Sequence, residues 1–426
     1  MNNPQLIHTE RLIAEVSLFR SPADMVLSKF FKDHKKLGRQ DRHEIAETVY
    51  AALRHWQKLH MVFGAKAPAR LLALGALVIG RGVSIASLSD IINEAERTAL
   101  SGLKAAKSEF TGRLNTASEL PEWLVERMQG QYSDEEIIAI GQSLSQAAPL
   151  DTRVNTIKGK REKVLAQLEA DGFKAAATPF SPWGIRFQDK AAINKNALFL
   201  DGFLEVQDEG SQLLALISGA KRGEVVVDFC AGAGGKTLAL AAMMNNTGRL
   251  YAMDVSEKRL ANIKPRIARA GVGNITPQRL DHERDLRLKK LWNKADRVLV
   301  DAPCSGLGTL RRNPDLKWRQ SPQSVQELTA KQSAILQSAA RLVKPGGRLV
   351  YATCSVLPEE NEAIAQAFGA AHPEFAPLDA GELLAQLKVE QAASLCSGGD
   401  SGSRYVRLWP HQHGCDGFFA AVWQRK

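Results

Sequence analysis

Cysteine, aromatic residues and acid are all in short supply in this chain of 426 residues. The five cysteines (Cys230, Cys304, Cys354, Cys396, Cys415) are odd in number and form no Cys-x-x-Cys pair. That excludes a disulfide framework and points to a reducing compartment. No apolar run approaches the length of a bilayer crossing: the stretch from Leu71 to Ile79 is interrupted by Gly75 and is far too short. The first residues, Met-Asn-Asn-Pro-Gln-Leu-Ile-His, lack the basic and then apolar regions of a secretory leader. The chain is therefore expected in the cytoplasm, with no membrane partner. It shows no internal repeat and no biased tract apart from a Ser/Gly-rich loop from Ser397 to Ser403. Acid is the scarcer charge, 46 Asp and Glu against 56 Lys and Arg, which leaves a net charge of +10. Such a balance favours a polyanionic partner, nucleic acid before a membrane surface, although many basic proteins bind nothing anionic.

What is present is enough apolar residue, 44%, for two to four separate cores. Residues 1–145 read as an all-α bundle. Ile45, Val49, Leu53 and Trp56 line one face of a helix between Asp41 and His60. Leu27, Phe30 and Phe31 mark another, Leu71, Leu72 and Leu74 a third, and Leu88, Ile91 and Ile92 a fourth. Lys29, Lys32, Lys35, Lys36, Arg39 and Arg42 form a basic run there, either a solvated helix face or a phosphate-contacting one. Residues 146–205 read as a small α+β module, with strands near Thr152–Ile157, Ile185–Phe187 and Leu198–Leu200 and a helix from Arg161 to Ala170. From 206 to 426, strands alternate with helices and end in an antiparallel pair, Tyr405–Trp409 and Phe418–Trp423. The expected fold is a doubly wound, mostly parallel α/β sheet of Rossmann-like type.

The turn after the first strand of that region reads Asp228-Phe-Cys-Ala-Gly-Ala-Gly-Gly-Lys-Thr237. A phosphate-cradling Walker loop needs glycine where Cys230 stands, and a dinucleotide fingerprint needs a third glycine where Thr237 stands. What survives is a loop for a nucleoside ligand without a pyrophosphate. Acids close four successive strands: Asp228, Asp254, Asp281 and Asp301. Asp254 is suited to ribose hydroxyls and Asp281 to an adenine amino group, the pattern of S-adenosylmethionine enzymes. Simple helix capping is the plainer alternative.

Two cysteines follow two further strands in matching settings, Asp301-Ala-Pro-Cys304-Ser-Gly and Tyr351-Ala-Thr-Cys354-Ser. In an open parallel sheet that edge is where ligands bind. A buried, inert thiol is the ordinary fate of a free cysteine, but two delivered to one edge suggest covalent chemistry. His411-Gln-His413-Gly-Cys415 lacks a second ligand cluster, so no metal is expected.

The Asp301–Thr309 and Arg312-Asn-Pro-Asp segments, Tyr351–Ser355 and the loop Cys230–Thr237 together resemble the RNA (cytosine-5) methyltransferase family. Gln207-Asp-Glu-Gly-Ser-Gln212 and Asp416-Gly-Phe-Phe419 match its other motifs. The helical start, with Arg39-Gln-Asp-Arg-His and Ala46-Glu-Thr-Val-Tyr, resembles the NusB-like RNA-binding domain of the Sun/RsmB-type small-subunit rRNA branch. The loop has Ala231-Gly-Ala-Gly where relatives often have Ala-Ala-Pro-Gly, a departure that keeps the glycines.

The resemblance implies methylation of cytosine C5 in RNA, expected to be 16S rRNA, with S-adenosylmethionine as cofactor. Cytosine C5 is a poor nucleophile until a thiolate adds to C6. Chemistry alone leaves both cysteines eligible for that addition. The resemblance makes Cys354 the nucleophile and Cys304 the releasing group, with Asp301 on the cytosine N3/N4 edge. It implies cofactor contacts from Cys230, Ala231, Gly232, Ala233, Gly234, Gly235, Lys236, Asp254, Asp281 and Asp301. It also implies RNA contacts from Arg153, Asn155 and Lys158. Arg311, Arg312 and Lys317, just after the Cys304 motif, are placed by sequence for phosphate contact. DNA cytosine-5 methylation and non-catalytic RNA binding in ribosome assembly are the rival readings. Nothing in the sequence demands more than a monomer.

Overall fold

The computed structural model describes every residue except Lys190 and 400–403, so part of the Ser/Gly-rich loop lies outside the described residues. The chain divides into two compact units, 1–147 together with 309–322, and 148–308 together with 323–426.

The first unit is built from helices, among them Asn3–Val16, Ala23–Asp33, Arg39–Arg54, Trp56–Phe63 and Ala69–Gly75. The apolar stripes explain why they pack: Leu27, Phe30, Ile45, Val49, Leu53, Leu59, Leu72 and Leu74 meet in one core. The expected helix from Asp41 to His60 is broken at His55. Leu88, Ile91 and Ile92 do not form a helix. They occupy a short 3-10 turn, Ala86–Leu88, and a bend, because Asn93 caps the next helix in a reciprocal box with Glu96.

Thr309–Pro322, from the catalytic half of the sequence, belongs to this helical unit. The Ala23 N–H donates to Asp315 (3.2 Å), and the Lys317 ammonium donates to the carbonyls of Arg54 (3.2 Å) and Glu119 (2.7 Å). The Trp318 ring lies beside Phe19 and Trp56.

The second unit holds two sheets. Strands β1 (Leu150–Val154), β2 (Ala175–Ala177), β3 (Gly184–Phe187) and β4 (Leu204–Val206) form an antiparallel sheet in the order β2-β3-β1-β4. Leu198–Leu200, expected as a strand, lies in the short helix Ala197–Leu200 capped by Asn196, and the strand follows it.

The larger sheet contains β5 (Val225–Asp228), β6 (Arg249–Asp254), β7 (Ile275–Arg279), β8 (Ala295–Asp301), β9 (Val343–Thr353), β10 (Phe375–Pro377), β11 (Cys396–Ser397), β12 (Tyr405–Leu408) and β13 (Phe418–Arg425). Its order is β11-β12-β13-β9-β8-β5-β6-β7, with β10 paired to the far end of β13. β5 to β9 are parallel, and β13 runs antiparallel beside β9. Val298, Leu299, Val300, Leu349, Val350 and Tyr351 are buried on both faces, as a sheet covered by helices requires. The helix after β6 is split into Glu257–Ala261 and Ile263–Ala270, and Pro265, at the start of the second piece, cannot continue the hydrogen bonding of the first. Strand order reverses between β5 and β8, so the loops after these two strands flank the crevice where such sheets bind ligands.

Candidate active site

The loop after β5 is shaped by glycine. Gly232 and Gly234 have φ of +54° and +86°, and a Cβ on Gly234 would meet the Ile263 side chain at 2.2 Å. Asp254, at the end of β6, holds the loop from outside: it accepts the Gly232 N–H (2.9 Å) and the Ser256 N–H (2.7 Å) and pairs with Arg259. These contacts leave a cavity of about 500 Å³ between the loop and the ends of β6, β8 and β9, lined in part by Asp228, Val255, Leu280, Asp301, Cys304 and Cys354.

Two features of the cavity fit a sulfonium nucleoside that carries an amino acid. Asp228 is buried; its Oδ2 accepts the Thr237 hydroxyl (2.7 Å), while Oδ1 has no partner among the described residues. Burial pushes this carboxyl up to about 7, and the nearby Asp301 and Asp254 add to the effect. An orphaned buried carboxylate is a place for a ligand ammonium. Val255, exposed and lining the same cavity, offers an apolar surface for a base.

Asp281 is not part of this cavity. It faces solvent and pairs with Arg279 and Arg287, because its backbone N–H is fixed by Asp285 (2.9 Å), whose carboxylate closes the turn. Leu280 and Glu283 line the cavity instead.

At the other end of the cavity the two thiols meet, with Cys304 Sγ 3.4 Å from Cys354 Sγ. The Lys236 ammonium donates to Asp301 Oδ2 at 2.7 Å and lies 5.9 Å from the centre of the Phe418 ring. Burial works against the Lys236 charge, but Asp301 and Cys354 outweigh it and raise the group's pKa. The Cys304 thiol is pushed well up by its hydrogen bond to Cys354 and by burial. Cys230 lines the cavity as a thiol, pushed up by burial and by three surrounding carboxylates.

Both cysteine loops are tied together behind the thiols. The Gly308 N–H donates to the Cys354 carbonyl (2.9 Å), and the Gly417 N–H to the Gly308 carbonyl (2.8 Å). A Cβ on Gly308 would lie 2.1 Å from the Gly417 oxygen. Glu360, fully buried, accepts the hydroxyls of Ser305 and Ser355, the Ser305 N–H (2.8 Å) and the Gln332 amide (2.9 Å). Sequence reading missed Glu360 and Gln332. The signal was the serine repeated after each cysteine, which called for a common partner.

The expected RNA contacts lie elsewhere. Arg153 is buried and donates to Gln207 (2.7 Å). Asn155 is buried and donates to the carbonyls of Gly202 (3.1 Å) and Ala270 (2.9 Å). Lys158 donates to the carbonyls of Asp201 and Arg269. Asn155 and Lys158 thus satisfy the open C-terminal carbonyls of the helix Ile263–Ala270, as a donor and a cation there should. Lys317 and Arg311 are buried in the helical unit, and Arg312 is half-buried there. His413 accepts the Trp409 N–H (2.9 Å) and bonds the Ser394 carbonyl. Among the described residues no group of three or more His, Cys, Asp and Glu could hold a metal, and no helix is long and apolar enough to cross a membrane.

A parallel sheet reversing between β5 and β8, closed by an antiparallel β13 beside β9, with a glycine loop and a strand-end acid around a nucleoside-sized cavity, defines a class I S-adenosylmethionine-dependent methyltransferase. Residues 215–424 match the family model described as 16S rRNA methyltransferase RsmB/F, and 120–194 match the RsmF/B-like ferredoxin-like domain. The chain is 30% identical to the "Probable ribosomal RNA small subunit methyltransferase B" of Synechocystis, over 96% of this chain and 97% of that one. It is 33% identical to the Bacillus subtilis protein of the same description, over 74% and 68%. The crystal structure of PH0851 matches all of this chain and 99% of its own, at 26% identity and a TM-score of 0.79. The chain belongs to the RsmB/F methyltransferase family, in the Sun/RsmB-type branch, and S-adenosylmethionine is its cofactor.

Proposed function

We propose that this protein methylates C5 of a cytosine in small-subunit ribosomal RNA through a covalent adduct of Cys354 with C6. The observation that carries this reading is the pair of thiols 3.4 Å apart at the ends of β8 and β9, beside a cofactor cavity. A methyl transfer to nitrogen or oxygen needs no thiol, whereas C5 of cytosine needs one to add and a base to finish. The names of the relatives support small-subunit rRNA as the substrate.

The glycine loop and Asp254 would hold the nucleoside part of the cofactor and Asp228 its ammonium. When bound, S-adenosylmethionine supplies an electrophilic methyl group for C5. A free thiol is only a few per cent ionised near neutrality. The Cys304 thiol lies within hydrogen-bond reach of Cys354 Sγ (3.4 Å), and Asp301 holds the Lys236 ammonium at the same end of the cavity. The Cys354 electron pair then forms the bond to C6 and makes C5 nucleophilic. The displaced ring electron pair goes to N3, which takes a proton from solvent and returns it when the ring is restored. Asp301 meets the N3/N4 edge, where it offsets the positive charge of the protonated ring. To finish, the C5 proton leaves to a base and its electron pair rebuilds the C5–C6 double bond and expels Cys354. Cys304, 3.4 Å from Cys354, is placed to take that proton once its own proton has passed to solvent. The exposed lysines of the helical unit, Lys29, Lys32, Lys35 and Lys36, supply phosphate contacts, and the chain acts as a monomer.

The test is transfer of a labelled methyl group to rRNA and to DNA, with the product base mapped. Cys354→Ala is expected to abolish adduct and methylation together, and Cys304→Ala to leave a protein–RNA adduct stable on a denaturing gel. Methylation by Cys354→Ala, or label on DNA alone, overturns the reading.

A further inference from the structure

We propose that Glu360 is the positioning residue that makes the two thiols unequal: its buried carboxylate clamps both cysteine loops through the serines that follow them, and it sets a negative charge on the Cys304 side of the pair. This rests on the cysteine chemistry proposed above and explains which sulfur ionises.

The asymmetry lies in the hydrogen bonds. Toward Cys304, Glu360 accepts both the backbone N–H (2.8 Å) and the hydroxyl of Ser305. Gln332 bridges from Glu360 (2.9 Å) to the carbonyl of Pro303 (3.0 Å), the residue before Cys304. Toward Cys354 it accepts only the Ser355 hydroxyl. Four donors fill the acceptor sites of the carboxylate, the bonding pattern of an ionised group. Behind it, the Tyr351 hydroxyl donates to the Glu360 carbonyl (2.6 Å) and fixes the backbone.

The charged and titratable groups around the thiols come from every neighbouring element. Lys236 and Cys230 approach from the β5 loop and Asp301 from the end of β8, Tyr351 lies on β9, and Lys331 lines the cavity from the helix Pro322–Ala340. Ionisation of Cys304 is opposed first by its hydrogen bond to Cys354 and by burial, and the Glu360 charge adds to both; the Lys236 cation, in turn, is favoured by Asp301 and by charge on Cys354. A thiolate forming in the pair therefore forms on Cys354, with Cys304 as its S–H donor. Glu360 touches neither sulfur and no substrate; it acts through the loops and through its field.

The experiment follows alkylation by iodoacetamide at each cysteine, mapped by mass spectrometry from pH 6 to 9, on the full chain without RNA or cofactor. In the unmodified protein Cys354 should react at lower pH than Cys304. Glu360→Gln keeps the size and removes the charge. It should raise Cys304 alkylation at pH 7.5 about tenfold, the change in thiolate fraction from a pKa drop of about one unit, and should shift the acid limb of kcat. The double variant Ser305→Ala with Ser355→Ala keeps the charge and loses the clamp. It should lower kcat yet keep the order of reactivity, and it serves if Glu360→Gln fails to fold. An unchanged Cys304-to-Cys354 ratio in Glu360→Gln, or a reversed order in the double variant, overturns the role of Glu360. Because alkylation needs no substrate, a failure of rRNA methylation in the unmodified protein would strike only the reading of function.

Discussion

Asp228 is the residue through which the proposed ammonium contact would link stability to the cofactor. Its carboxyl is held at about 7 against an ordinary 3.8, so the folded state prefers it neutral. Below about pH 4 it is protonated folded or unfolded and carries no penalty. Between 4 and 7 the unfolded chain ionises first, so stability falls as pH rises. Above 7 the loss levels off, on the order of 4 kcal/mol. A ligand ammonium against Oδ1 would cancel much of it. Asp228→Asn is therefore expected to melt higher than the unmodified protein at pH 8 but not at pH 4, and to bind the cofactor more weakly. In the unmodified protein the thermal shift given by S-adenosylmethionine should grow between pH 6 and 8. A shift independent of pH would remove Asp228 from the cofactor site.

At the scale of elements, the polar residues expected on RNA turn out to hold pieces of the fold together. Asn155 and Lys158 close the C-terminus of the helix Ile263–Ala270, and Lys317 anchors Thr309–Pro322 among the helices through the Arg54 and Glu119 carbonyls. Asn155→Ala should cost about 1–3 kcal/mol by orphaning two carbonyls, and Lys317→Ala about 2–4 kcal/mol with the added cavity. Both are measurable as denaturation midpoints, with the salt dependence of RNA binding unchanged. These residues also mark where sequence stops being legible. The strands, the glycine loop and the two cysteines could be read because their patterns are local: apolar runs, a turn that only glycine allows, a thiol at a strand end. Lys317 reads as a surface cation because nothing nearby reveals that residues near positions 54 and 119 await it. Glu360 reads as an acid at a helix start, since Ser355 alone of its partners is near in sequence and the others sit at 305 and 332. Asp281 ends the third strand like the other acids, but the Asp285 turn rotates it outward.

For the whole molecule, the surplus of positive charge has to be located before it explains anything. Much of the cation-rich sequence is consumed internally: Arg153 and Lys317 are buried, and Arg266 and Arg269 pair with Glu205. Lys29, Lys32, Lys35, Lys36 and Arg39 stay exposed on the helical unit, where Lys32, Lys35 and Arg42 line a groove beside Phe31. Such a surface suits a phosphate backbone, and the Arg42 guanidinium lies over the Phe31 ring, 5.8 Å from its centre. Each lysine that meets a phosphate releases about 0.7 of a counterion from single-stranded RNA, so affinity should fall steeply with salt. Replacing Lys29, Lys32, Lys35 and Lys36 with glutamine should weaken binding of a small-subunit rRNA fragment. It should also flatten the plot of log K against log salt by up to about 3, while alkylation of Cys354 stays as it was. A slope that does not move would make the run a solvated helix face, and the charge of this protein would then have to reach RNA from the catalytic unit.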